Sequence, residues 1–272
     1  MPDRITSTAN PLIKTLRSLD RKKTRAETGL FLAEGARLAQ QGLEAGWRLD
    51  TLLVSSSAAL RSGAEDLARD AAEAGARVIE ASDRVLSAVV RKDNPQMVAA
   101  AFEQRDRPLA DLSGPGQGVW LALYEVRDPG NLGTILRTAD CAGARGVILL
   151  ETCCDPYSIE AVRASMGSLF DMPVARATFA DFDTWRRSEG LAMIAASVNG
   201  TVRHDKAPYK DRAVLLMGNE QAGLPAEIEA ACDTLALIPM RGGADSLNLA
   251  QAAALMTYEA WRAQDFAGAR DQ

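Results

Sequence analysis

The chain has 272 residues, 47% hydrophobic and 25% charged, which excludes a disordered chain and leaves room for one large domain or two ordinary ones. A single histidine, His204, and four cysteines, Cys141, Cys153, Cys154 and Cys232, without C-x-x-C spacing exclude a His-rich or paired-thiolate metal cluster and a His-based triad, so the expected chemistry uses no metal. The net charge of −5 excludes a uniformly basic nucleic-acid binder, but it is unevenly spread: residues 1–105 hold 16 Lys/Arg against 14 Asp/Glu, and residues 106–272 hold 15 against 22.

The first ten residues are polar and no apolar run approaches the roughly 20 residues of a spanning helix, so the expectation is a cytoplasmic protein without membrane contact and with reduced thiols. Within the first 27 residues Arg4, Lys14, Arg17, Arg21, Lys22, Lys23 and Arg25 face only Asp3, Asp20 and Glu27. Such an excess suits phosphate contacts through counter-ion release, or simply a solvated helix face. Next come a helix-spaced stretch at 33–45, a strand at 51–55, a helix at 64–74 and strands at 77–80 and 97–102, the pattern of a small α/β domain. At 104–118 charges, Pro108, Pro115 and three glycines replace periodic hydrophobicity. A junction is expected there, giving a domain at 1–105, a linker at 106–117 and a second domain at 118–272.

Downstream, apolar runs at 119–124, 147–150, 173–177, 191–197, 213–217 and 234–239 alternate with helical patterns. That alternation predicts an α/β fold with a mostly parallel sheet and helices on both faces. Ligands in such sheets sit beyond the carboxyl ends of the strands, which directs attention to the loops that follow these runs.

The loop after the first run holds Pro129 and Gly130, expected to form a turn, Asn131, a candidate helix cap, and Arg137 less than two turns into the helix. Gly130 and Gly133 are spaced G-x-x-G, short of the G-x-G-x-x-G dinucleotide fingerprint, although Glu151 ends the next strand. In 155–173 the small residues Ala164, Ser165, Gly167 and Ser168 gather on an expected helix, for tight packing or for a ligand passing that face. The loops at 217–225 and 238–248 follow neighbouring strands and can share one ligand; Asp245 or Ser246 would cap a final helix, 247–263, whose apolar stripe suits a core or a dimer contact. His204 lies in the polar stretch 199–212 and reads as a solvated loop residue.

Together, N-L-G-T-I-L-R-T-A at 131–139, V-R-A-S-M-G-S-L-F-D-M-P at 162–173, G-N-E-Q-A-G-L-P at 218–225, I-P-M at 238–240 and D-S-L-N at 245–248 resemble the three motifs of the SpoU/TrmH family of RNA ribose methyltransferases. The resemblance covers 120–261. It implies a SPOUT α/β knot, a homodimer, and S-adenosylmethionine held chiefly by main-chain groups of Gly218, Ile238 and Leu247, with Met240 and Ser246 beside them. It also implies Arg137, Asn131, Glu220 and Asn248 as active-site residues for methylation of a ribose 2′-hydroxyl. A guanidinium rarely gives up its proton, so Arg137 is expected to clamp a phosphate and stabilise the developing alkoxide, with Glu220 taking the proton directly or through water and the two asparagines orienting it or the ribose. Phe31, Glu34, Gly35 and Arg37 in the first half resemble a ribosomal-protein-like substrate-binding domain, which favours ribosomal RNA over transfer RNA as the substrate. The alternatives are a non-catalytic RNA-binding or ribosome-assembly factor with this fold, and a nucleotide-dependent oxidoreductase.

Overall fold

The computed structural model describes residues 3–57, 62–91, 97–209 and 212–270. They form two compact units: the first runs to Arg105 and includes Asp155–Phe170, and the second comprises Asp106–Cys154 and the chain from Asp171 onward.

In chain order the first unit contains β1 (Asp3–Ile5), α1 (Pro11–Ser18), α2 (Lys22–Thr28), β2 (Leu30–Glu34), α3 (Ala36–Glu44), β3 (Leu49–Ser55), α4 (Ser62–Glu73), β4 (Arg77–Ala81), α5 (Asp83–Val90) and β5 (Val98–Glu103). The strands lie in the order β1-β4-β3-β5-β2, parallel from β1 to β3 and antiparallel at β5 and β2. Ile13, Leu16 and Leu19 pack with Leu86 and Val89 of α5 in one core cluster. Another group is aromatic: the Phe31 ring lies 4.9 Å from Tyr157 and 6.0 Å from Phe102 between centroids, and Trp47 donates its indole N–H to the Phe170 carbonyl at 2.8 Å.

The expected helix at 33–45 starts later, at Ala36, because Ala33 and Glu34 complete β2 and Gly35 turns the chain at φ 106°. Arg25 also departs from expectation. It is buried, donating from Nε and Nη2 to Asp155 Oδ2 at 2.9 and 2.7 Å and from Nη1 to the Leu19 and Asp20 carbonyls, so it is withdrawn from any phosphate-binding surface. Lys14, Arg17, Arg21, Lys22 and Lys23 remain exposed.

The second unit begins with ordered chain. Arg107 N donates to the Val174 carbonyl, and Leu112, in a short 3-10 turn, enters the core and accepts the Trp120 indole N–H at 3.1 Å; the stretch expected to be a linker packs into this unit. Then follow in the chain β6 (Gly118–Tyr124), α6 (Pro129–Cys141), β7 (Gly146–Leu150), the first unit's α7 (Ile159–Ser165) and α8 (Ser168–Asp171, its last residue already in the second unit), and then β8 (Val174–Ala177), α9 (Phe179–Ser188), β9 (Ala192–Ala196), β10 (Val202–Arg203), β11 (Arg212–Met217), α10 (Ala226–Ala231), β12 (Thr234–Leu237) and α11 (Leu249–Ala263). All seven strands of its sheet are parallel, in the order β10-β12-β9-β11-β6-β7-β8. Phe182 and Trp185 of α9 and Ile228 of α10 join the core with Trp120, Ile148 and Val214, while α6 and α11 pack on each other and on β6, β7 and β11. Covered strands read as unbroken apolar runs, which is why this half follows the predicted alternation.

Two expectations fail locally. The small residues at 164–168 do not share a helix: Met166 and Gly167 take φ of 53° and 104°, ending α7, which belongs to the first unit and packs on β2. The φ of 104° itself calls for glycine at Gly167, and the end of the Gln41 side chain fills the space where a Cβ would stand. His204 is half-buried in a 3-10 turn beside β10, an edge strand paired with β12, in a stretch expected to be a solvated loop.

Candidate active site

The site is assembled where β6, β11 and β12 end. After β6, Asp128 caps α6: its Oδ1 accepts the Asn131 backbone N–H at 2.7 Å, and Pro129, whose missing N–H costs nothing at the first helical position, follows at once. Asn131 is thus inside the helix and is not its cap, and Pro129 and Gly130 are helical residues, not a separate turn. Freed from capping, the Asn131 amide bridges two other loops, donating from Nδ2 to Glu220 Oε1 at 3.2 Å and accepting at Oδ1 from Asn248 Nδ2 at 2.9 Å.

The loop after β11 is closed by reciprocal backbone bonds between Asn219 and Gly223 at 2.9 and 3.0 Å. Gly218 is required there, because a Cβ would lie 2.6 Å from the Gly223 carbonyl carbon. Asn219, which sequence reasoning passed over, organises the turn: Oδ1 accepts from Gln221 N and Ala222 N at 2.9 and 3.0 Å, and Nδ2 donates to the Glu125 carbonyl at 2.8 Å. Its signal was the familiar ability of asparagine to fold its side chain onto the backbone two residues on.

Glu220 then meets the start of α6. Its carboxylate accepts the backbone N–H groups of Arg127 and Asp128, both at 3.1 Å, besides the Asn131 amide. Burial pushes this carboxyl up, but those donors outweigh it and hold the group below the usual glutamate range. After β12 the chain reaches Asn248, which caps α11 by accepting from Ala250 N at 2.9 Å and Gln251 N at 3.4 Å; the cap falls on Asn248 instead of Asp245 or Ser246.

Two cavities adjoin at these loops. One, of about 500 Å³, is lined by Gly218, Ile238, Met240, Ser246 and Leu247 together with Val198 and Leu237. All five residues expected to hold S-adenosylmethionine therefore surround one space, of a size that suits a nucleoside-sized ligand. The other, of about 650 Å³, is polar and lined by Arg127, Asp128, Asn131 and Asn248; Glu220, Ser246 and Leu247 form walls of both. Of the four residues expected at the active site, the structure brings together Asn131, Glu220 and Asn248. Arg137 stands apart, exposed on α6 and lining neither cavity. It lies six residues beyond Asn131, about 9 Å along the axis and about 240° around it. Among the described residues no cluster of His, Cys, Asp and Glu is arranged to hold a metal, and no helix is long and apolar enough to cross a membrane.

The sequence pattern of the SpoU rRNA Methylase family matches residues 118–258, and that of the MRM3-like substrate binding domain matches residues 10–100. A 23S rRNA (guanosine(2553)-2′-O)-methyltransferase of Bacillus subtilis is 31% identical over 254 residues, covering 93% of this chain and 97% of the relative. An AdoMet-bound rRNA methyltransferase from Sinorhizobium meliloti superposes with a TM-score of 0.90 at 45% identity, over 96% of this chain and 98% of the other. A tRNA (cytidine(34)-2′-O)-methyltransferase of Ancylobacter novellus is 35% identical but over 144 residues, 52% of this chain and 90% of its own length. With the residues of the first and third motifs brought together at one end of a parallel sheet and the family pattern matched over 118–258, the chain belongs to the SpoU rRNA methylase family.

Proposed function

We propose that this protein transfers a methyl group from S-adenosylmethionine to a ribose 2′-hydroxyl of RNA, with ribosomal RNA as its substrate. The observation that carries the reading is the pair of adjoining cavities: a largely apolar one fit for a nucleoside, against a polar one ringed by Asn131, Glu220 and Asn248. The donor supplies an electrophilic methyl on a sulfonium. The chain's own part is to align the hydroxyl with it and to receive the hydroxyl's proton. Glu220, ionised and forming a wall of both cavities, takes that proton directly or through water. The three donors that depress its pKa also limit its basicity, so its larger contribution is to hold Asn131 in register with Asn248.

Arg137 enters in the homodimer that we propose. Leu255 and Tyr258 of α11 are 41% and 44% exposed and line a shallow apolar groove with Leu247, a surface suited to a second copy. Arg137, on the helix that packs against α11, then serves an RNA phosphate and the developing alkoxide as a charged fork. The domain at residues 1–105 is the RNA-binding part, with exposed Lys14, Arg17, Arg21, Lys22 and Lys23 as phosphate contacts. Ribosomal RNA is favoured because the rRNA methyltransferase relative matches this unit as well as the rest, whereas the tRNA enzyme matches half of the chain. The trefoil knot and the cytoplasmic location belong to the same proposal.

Mapping 2′-O-methyl sites in total RNA from a deletion strain and its parent tests this. Loss of one ribosomal site is expected; loss confined to transfer RNA would move the substrate assignment, and an unchanged map in both would refute the activity.

A further inference from the structure

The methyl-donor cavity has a region that it does not share with the acceptor cavity, and the polar groups there have no place in the chemistry described above. Ser197, Val198, Asn199 and Glu229 line the donor cavity alone. Glu229, half-buried on α10, accepts from Ser197 Oγ at Oε1 (2.5 Å) and from Asn199 Nδ2 at Oε2 (3.1 Å).

This arrangement is rigid. Ser197 N donates to the Ala236 carbonyl, and Asn199 N donates to Ser197 Oγ at 3.0 Å. Gly200 closes the turn so tightly on β12 that a Cβ would lie 2.7 Å from the Ala236 carbonyl carbon. A carboxylate held by one donor on each oxygen keeps lone pairs free on both, and so can accept two further hydrogen bonds side by side.

We infer that Glu229 is the residue that recognises the ribose of the methyl donor, accepting hydrogen bonds from its vicinal 2′- and 3′-hydroxyls. This rests on the reading of the cavity as a donor site. Two features favour the nucleoside over the amino-acid end of the donor. The amino-acid end is a zwitterion, so what its ammonium would gain from Glu229 is offset by repulsion of the adjacent carboxylate, and none of the residues that line this cavity is Lys, Arg or His to hold that carboxylate. The ribose is neutral and offers two adjacent O–H donors, the pattern that a single acidic side chain reads in dinucleotide sites. Exposed Val198, beside Glu229 in the lining, and Leu237 supply apolar surface for the attached base.

The test is calorimetric binding of S-adenosylhomocysteine and of its 2′-deoxyribose analogue to the full chain and to the variants Glu229→Ala and Glu229→Gln. The unaltered chain should prefer the ribose ligand by about tenfold or more, the size of one charge-assisted hydrogen bond. Glu229→Ala should bind the two ligands equally. Glu229→Gln, nearly isosteric and with one acceptor oxygen left, should keep only a small preference. The inference is overturned if the unaltered chain does not distinguish the two ligands, or if either variant, folded by its circular dichroism, keeps the full preference. A folded, unaltered chain that binds neither ligand would remove the donor-site reading itself, and this inference with it.

Discussion

Two motif segments of the second half carry glycine among small and polar residues, and they do opposite things. Asp155–Phe170 is packing material: Gly167 makes room for Gln41, Arg163 donates to Glu34 at 2.6 Å, and Asp155 receives the buried Arg25. The loop at 217–225 uses glycine to let the chain double back on itself, Gly218 lying against Gly223, and leaves space open beside it. Small residues in a sequence mark a close approach. What approaches, a side chain of the same protein or a ligand, is decided by distant parts of the chain.

The contrast can be broken most forcefully at Arg25. Its side chain and that of Asp155 are only 4% and 10% exposed, so Arg25→Ala removes the guanidinium from a buried ion pair with Asp155 Oδ2 and should cost about 3–5 kcal/mol in urea unfolding. S-adenosylmethionine affinity of the folded variant should stay the same. A large loss of that affinity would show that the packing segment also shapes the cavity.

Gly218→Ala tests the other side of the comparison. The added methyl meets backbone, which cannot swing away, so the loop must open, at a cost of about 1–3 kcal/mol. Calorimetry should then show S-adenosylmethionine affinity falling by roughly tenfold or more, with a smaller change in stability than at Arg25.

Asn248 separates two roles of one side chain. Asn248→Ala loses the cap of α11 and should cost about 1 kcal/mol in thermal or urea unfolding. Asn248→Asp keeps the cap but has no N–H for Asn131 Oδ1, so stability should hold while methyl transfer falls by roughly tenfold. Equal loss of stability in both variants would remove the link to Asn131 as a separate contribution.

The smallest effect is in the pH dependence. Glu220 ionises more readily in the folded chain than in the unfolded one, so its contribution to stability is complete above the ordinary glutamate range and is lost as pH falls through the depressed folded value. Urea midpoints of the parent and of Glu220→Gln should therefore differ most near about pH 7 and draw together as pH falls below the ordinary glutamate range and through the depressed folded value. A gap that does not narrow in acid would mean that the carboxylate is not held by these donors.

The alternation of the second half was legible because its strands are covered on both faces and read as plain apolar runs, as in Gly146–Leu150. The first half was harder. Asp3–Ile5 is a three-residue edge strand with one buried residue, Lys22–Thr28 buries only Arg25, and the apolar end of β2 runs straight into the spacing of α3. Caps were misplaced where several cap-forming residues stand close together. Asp128 and Asn131, or Asp245, Ser246 and Asn248, are all able to cap, and Pro129 directly after Asp128 was the one local hint. The residues around the donor cavity were named through family resemblance. Asn219 and Glu229 were not, because their bonds to Glu125 and to Ser197 and Asn199 join parts of the chain 30 or more residues apart.

The chain leaves the second unit at Asp155 and rejoins it at Asp171. A front half of this kind is consequently not a detachable cassette. Exchanging residues 1–105 for those of a relative would orphan the inserted segment, since Gln41, Arg25 and Glu34 would no longer be matched to Gly167, Asp155 and Arg163. Recombination between such proteins is constrained to move both stretches together, and a chimera that works should be one that inherits them as a pair.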